Sequence, residues 1–68
     1  MTPTPRQLGM QLKRLRAKGG LSQAALAKKA KLTREHVNRL EAGRHNPTMG
    51  VLQRLAKALG VPVAELLE

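Results

Sequence analysis

The sequence predicts an all-α fold of five short helices. Three observations carry this expectation: apolar residues recur at three- and four-residue spacing, hydroxyl caps and glycine stops fall at helix-length intervals, and no segment reads as a strand. Helix one opens at Thr4-Pro5-Arg6-Gln7, a capping box with Pro at the first helical position. Leu8, Leu12 and Leu15 form its apolar stripe, and Gly19-Gly20 ends it. Ser22 caps helix two, with Leu26 and Ala30 inward and Leu21 just ahead of the cap. Lys31-Leu32-Thr33 forms a turn, Thr33 caps helix three, Val37 and Leu40 face inward, and Gly43 stops it. The basic loop Arg44-His45-Asn46-Pro47 leads to Thr48, which caps helix four. Leu52, Leu55, Ala56 and Leu59 share one face there, and Gly60 is the stop. A last helix covers about Val63 to Leu67. Residues 1–4 read as a short N-terminal arm and residues 5–68 as one domain.

Composition narrows the function. The chain of 68 residues has no Cys, so neither a disulfide nor a thiolate metal site is available. Phe, Tyr and Trp are absent too, which removes the stacking platforms used by single-stranded nucleic acid binders. The net charge is +9, from 13 basic and 4 acidic residues. No acidic residue occurs before Glu35, so the field is one-sided and favours a polyanion. A basic surface that only keeps the chain in solution is the plainer reading of the same charge. No signal sequence and no apolar run long enough for a membrane span are visible, and a cytoplasmic, nucleoid-associated location is expected.

Between Gln23 and Gly43 the spacing is tight. Ala27 is small where two helix axes approach, Leu32 plugs the turn, and Val37 and Leu40 complete the contact. The chain resembles the Cro/C1-type (XRE-like) helix-turn-helix transcription regulators over Leu8 to Leu67. The matching pieces are Leu12-x-x-Leu15-Arg16, Leu21-Ser22-Gln23-x-x-Leu26-Ala27, Arg39-Leu40-Glu41-x-Gly43, Asn46-Pro47-Thr48 and Leu55-Ala56-x-Ala58-Leu59-Gly60-Val61. Two positions depart from the family pattern. Lys31 stands where the turn usually has Gly, at a cost on the order of 1 kcal/mol if it is left-handed. Pro62 stands where a Ser or Thr cap is usual.

The resemblance implies a compact lambda-repressor-like domain in which helices two and three form the helix-turn-helix. It also implies that the helix at 34–42 enters the major groove of double-stranded DNA. Carried over position by position, the base-facing residues are Arg34, Glu35, Asn38 and Arg39, with His36 nearby. Their chemistry suits the role: a guanidinium grips guanine O6 and N7, and Asn reaches adenine. Glu35 has two readings, a contact to a cytosine amino group or a favourable charge at the helix N-terminus. Gln23, Lys28, Lys31, Arg44 and, more weakly, Asn46 are the expected phosphate contacts, although Asn46-Pro47 also favours a turn by itself. Of Lys28, Lys29 and Lys31, one or two are expected near the DNA backbone and the others solvated. The family pattern further implies an ion pair between Arg16 and Glu41 that is structural rather than base-reading.

The expected partner is double-stranded DNA, read by a homodimer acting as a repressor on a two-fold site with recognition helices ~34 Å apart. Val61, Val63, Leu66 and Leu67 offer more apolar surface than a short terminal helix needs, and are the candidate dimer contacts. An antitoxin that neutralises a partner toxin and autoregulates its operon is the alternative within the same fold. A membrane-active cationic helix is disfavoured by the missing aromatic anchors. No catalytic residue is expected, because one Ser, no Asp and no paired carboxylates leave no acid–base or nucleophilic constellation. His36 and His45, without Cys, make a poor metal site, so neither metal nor cofactor is expected.

Overall fold

Hydroxyl caps open four of the five helices. In the computed structural model, which describes residues 3–68, Thr4, Ser22, Thr33 and Thr48 have extended backbone. Each accepts a hydrogen bond from the N–H three residues on. The helices are α1 (Pro5–Lys18), α2 (Gln23–Ala30), α3 (Arg34–Glu41), α4 (Met49–Leu59) and α5 (Val63–Leu66). At Thr4 the capping box is reciprocal, since its own N–H donates to Gln7 Oε1 at 2.9 Å. Pro62 precedes α5 with no side-chain cap, and that helix is a single turn. Gln11 of α1 fastens it by donating to the Glu65 carbonyl at 2.9 Å. Of the expected N-terminal arm, Met1 and Thr2 lie outside the described residues, and Thr4 serves as the α1 cap.

The first four helices end the same way. In each, a residue past the C-terminus turns left-handed, and two N–H groups fold back onto the last turn, as in a Schellman motif. Gly20, Gly43 and Gly60 fill that position in α1, α3 and α4. In α2 it is Lys31, with φ 58° and ψ 44°. Lys31 N–H donates to Lys28, and Leu32 N–H to the Ala27 carbonyl at 2.8 Å. The motif therefore forms despite the Cβ, which makes this turn the strained one of the four. Lys31→Gly is expected to raise the melting temperature by a few degrees, from relief of roughly 1 kcal/mol of left-handed strain, partly offset by the extra freedom of Gly in the unfolded chain. An unchanged or lower melting temperature would contradict this account.

The core is aliphatic throughout. Leu8 and Leu12 of α1, Leu26, Ala27 and Ala30 of α2, Val37 and Leu40 of α3, Leu52, Leu55 and Ala56 of α4, and Leu66 of α5 are all buried. Leu15 and Leu59, expected on the inner faces, are half-buried at its margin. α2 packs on α3 and on α4, while α1 packs on α3, so α3 is held from two sides with its remaining face open. Leu66 is 0 % exposed, which corrects its assignment as a dimer contact: it is the residue by which α5 docks on its own core. Val61, Val63 and Leu67 are half-buried.

α1 and α3 meet more closely than their side chains would allow. A Cβ built on Gly9 falls on the carbonyl oxygen of Leu40 and 2.7 Å from that of Glu41. Gly9 is therefore a contact residue, and a hydrophobic stripe drawn through Leu8, Leu12 and Leu15 passes it by.

Candidate nucleic-acid interface

Eight residues of α3 are divided by the helical period. Val37 and Leu40 point inward, while Arg34, Glu35, Asn38 and Arg39 lie on the opposite, exposed face. Arg39 Nη2 and Glu35 Oε2 are 3.4 Å apart one turn along this face, with side chains 63 % and 82 % exposed. So open a pair contributes little to stability, and either side chain is free to take another partner.

One flank of α3 carries a polar network. Arg16 of α1 grips the Glu41 carboxylate with two donors, Nε and Nη2, the second at 3.1 Å. Its remaining Nη1 donates to the Leu21 carbonyl at 2.7 Å, tying in the α1–α2 loop. The Arg16 and Glu41 side chains are only 14 % and 4 % exposed. The hydrogen bond to Glu41 raises the Arg16 pKa above its already high ordinary value, so the guanidinium stays charged. Gln23, the first residue of α2, donates to Glu41 Oε1 at 3.0 Å, and its own Oε1 lies 3.4 Å from the Asn38 amide nitrogen. One N–H group of the Gln23 side chain is thus engaged inside the protein and not free for phosphate. The network runs from α1 through Glu41 and Gln23 to Asn38, and so reaches the exposed face of α3 from the interior.

His36 occupies the other flank, and its assignment as a base-facing residue is corrected. Its ring is half-buried and meets His45 edge to face, with centroids 5.0 Å apart. Its Nε2 is shielded from solvent and has no hydrogen-bond partner among the described residues. The helical period explains the placement, because position 36 falls between the open face and the core. Burial chiefly holds the imidazole pKa below its ordinary value of 6.5, with smaller contributions from the positive charges of His45, Arg39 and Arg54.

The sign of the linkage follows from that depression. Between the folded and unfolded pKa values the unfolded chain binds the proton more readily, so stability rises with pH in this range. The stability linked to neutral His36 is fully present above its unfolded value and is lost as pH falls through 6.5 toward the depressed folded value. Melting temperatures measured from pH 8 down to pH 5 are expected to fall below about pH 6.5, and His36→Gln is expected to flatten that slope. A slope identical in the variant would remove His36 as its source.

The expected phosphate contacts stand at both ends of α3. Lys28 and Lys31 are exposed at the end of α2, just before α3, and Arg44 and Asn46 are exposed in the loop after it. Arg54 of α4 lies near enough to act on His36 and carried no role in the sequence reading. No local sequence pattern connects it to α3. Among the described residues no group of three or more His, Cys, Asp or Glu side chains could hold a metal ion. No helix among them is long and apolar enough to cross a membrane.

Comparison with known proteins identifies the fold. A model of the helix-turn-helix domain family matches residues 7–68. The immunity repressor protein of Bacillus phage phi105 is 36 % identical over 59 residues, which cover 87 % of this chain and 41 % of the repressor. The HTH-type transcriptional regulator y4dJ of Sinorhizobium fredii is 39 % identical over 59 residues, covering 87 % of this chain and 77 % of that protein. Among solved structures, the restriction-modification controller protein C.AhdI of Aeromonas hydrophila superimposes with a TM-score of 0.91 at 35 % identity. The superposition covers 93 % of this chain and 96 % of C.AhdI. With the capped turn between α2 and α3 and the Arg16–Glu41 tie in place, the chain belongs to the helix-turn-helix domain family of XRE-like transcription regulators.

Proposed function

We propose that the chain is a sequence-specific binder of double-stranded DNA that inserts α3 into the major groove and represses transcription from the site it occupies. The observation that carries this reading is the outward set on α3. Arg34, Glu35, Asn38 and Arg39 are exposed together on a helix whose other sides are fixed by the core, the Arg16–Glu41–Gln23 network and the His36–His45 contact. Their donor and acceptor types match the edges that base pairs present in the major groove. Lys28, Lys31, Arg44, Asn46 and the N-terminal end of α2 at Gln23 supply the backbone contacts that set orientation. Repression is suggested by the phage immunity repressor, with which the chain shares its helix-turn-helix part.

The active form is a homodimer on a two-fold site, joined through the half-buried Val61, Val63 and Leu67 at the α5 end. Two recognition helices then lie ~34 Å apart, and the site of action is DNA in the cytoplasm. Selection of bound duplexes from a random pool tests this reading. A palindrome with half-sites about one helical turn apart is the expected product, and recovery of unenriched sequences would defeat the specific reading. On the selected site, Arg34→Ala is expected to cost about 1–3 kcal/mol and to relax preference at one base position per half-site. A loss spread evenly over all sequences would move Arg34 to the phosphate contacts. Sedimentation that shows a monomer at high protein concentration, free and on DNA, would defeat the dimer.

A further inference from the structure

A second basic feature lies outside α3. Between the C-terminal half of α2 and α4 runs a groove of about 410 Å3, lined by Lys29, Ala30, Lys31, Arg54, Lys57 and Ala58. Two alanines leave room between the helices, and four exposed cations stand around it. None of the chain's four acidic residues lines it. Glu35 pairs with Arg39, Glu41 pairs with Arg16, Glu65 belongs to α5, and Glu68 lies beyond α5. Four like charges around one depression, with no internal counter-charge, create a local field that concentrates anions.

The position of the groove narrows the anion. Lys31 stands three residues before Arg34, and Arg54 is close enough to His36 in the first turn of α3 to act on its charge. The groove therefore opens beside the N-terminal end of α3. Its four cations come from α2, the turn after it and α4, a number that suits successive phosphates along a strand more than a single phosphate group.

We propose that this groove seats the phosphates of the DNA strand flanking the bases read by α3, with Lys29 joined by Arg54 and Lys57 as backbone contacts. The inference rests on the DNA-binding reading above. In this arrangement the footprint extends past the recognition helix, and the added contacts strengthen binding to every sequence alike.

The test compares two variants that remove equal charge. Lys29→Gln/Arg54→Gln/Lys57→Gln alters the groove, while Lys13→Gln/Arg14→Gln/Lys18→Gln alters exposed cations of α1. Binding to a long duplex that carries the selected site, or to bulk duplex, is titrated against salt. The groove variant is expected to lower the slope of log affinity against log salt by about 2–3, near 0.9 per lost contact, with base preference unchanged. The α1 variant is expected to lower it by less than one contact's worth. Equal losses in the two variants, or an unchanged slope in a groove variant that melts like the parent, overturn the proposal. An unchanged slope together with binding of poly-glutamate would identify an acidic polypeptide as the groove's partner instead. The single variant Arg54→Gln provides the same reading, at about one contact, if the triple variant is unstable. Failure of the parent chain to bind any duplex would defeat the DNA-binding reading itself, whereas parent binding with an unaltered groove variant defeats only the groove.

Discussion

Glu41→Ala is expected to destabilise the fold by about 3–5 kcal/mol and to lower the melting temperature by roughly 15 °C or more. The size follows from what the carboxylate leaves behind. Arg16 keeps its charge with its side chain only 14 % exposed, loses both bonds to Glu41, and retains one to the Leu21 carbonyl. Gln23 loses its acceptor as well. For a domain of this size such a cost approaches the whole stability. The expected loss belongs to the uncompensated charge more than to the worth of the pair, so Arg16→Met/Glu41→Leu, which removes both charges, is expected to recover more than half of it. Thermal melts of the parent, the single and the double variant decide the matter. A single variant within a degree of the parent would mean that the pair carries no structural load. A double variant as unstable as the single would mean that the pair itself, not the stranded charge, holds α1 to α3.

Gly9→Ala is expected to destabilise by about 2 kcal/mol, a fall of roughly 10 °C, although helix propensity alone argues the opposite sign. In an exposed helix interior, Ala is better than Gly by about 1 kcal/mol. At Gly9 the added methyl meets the Leu40 and Glu41 carbonyls of α3, which are backbone and cannot rotate aside. The two helices must separate, loosening the packing around Leu8, Leu12 and Leu40 and stretching the reach of Arg16 to Glu41. A higher melting temperature for Gly9→Ala would show that the crossing can open without penalty. A fall would show that close approach, not helix propensity, sets the residue at this position.

These two positions show how far the sequence could be read. The stop signals at Gly20, Gly43 and Gly60 and the caps at Thr4, Ser22, Thr33 and Thr48 were legible, because each depends on residues within a few positions of one another, whereas a left-handed Lys31 was implied only by the family resemblance. The same holds for the outward set Arg34, Glu35, Asn38 and Arg39, since the period of a helix is enough to separate it from Val37 and Leu40. His36 was misplaced because it lies at the boundary between the two faces. There the ring meets His45, nine residues on and outside the helix, a contact that the period of α3 does not reveal. Leu66 was misplaced for a related reason: an apolar residue on a short terminal helix fits docking and association equally well until the core beneath it is known.

Helix positions, their ends and the inward stripes were determined by short-range backbone sterics, hydrogen bonding and periodicity, and the excess of positive charge by composition, all of which a linear chain already contains. The close approach at Gly9, the links from Glu41 through Gln23 to Asn38, the burial of His36 and Leu66, and the union of Lys29 with Arg54 and Lys57 in one groove were decided only by the fold. Each joins residues from separate helices, whose distance is set by how ridges of side chains pack and not by any local rule.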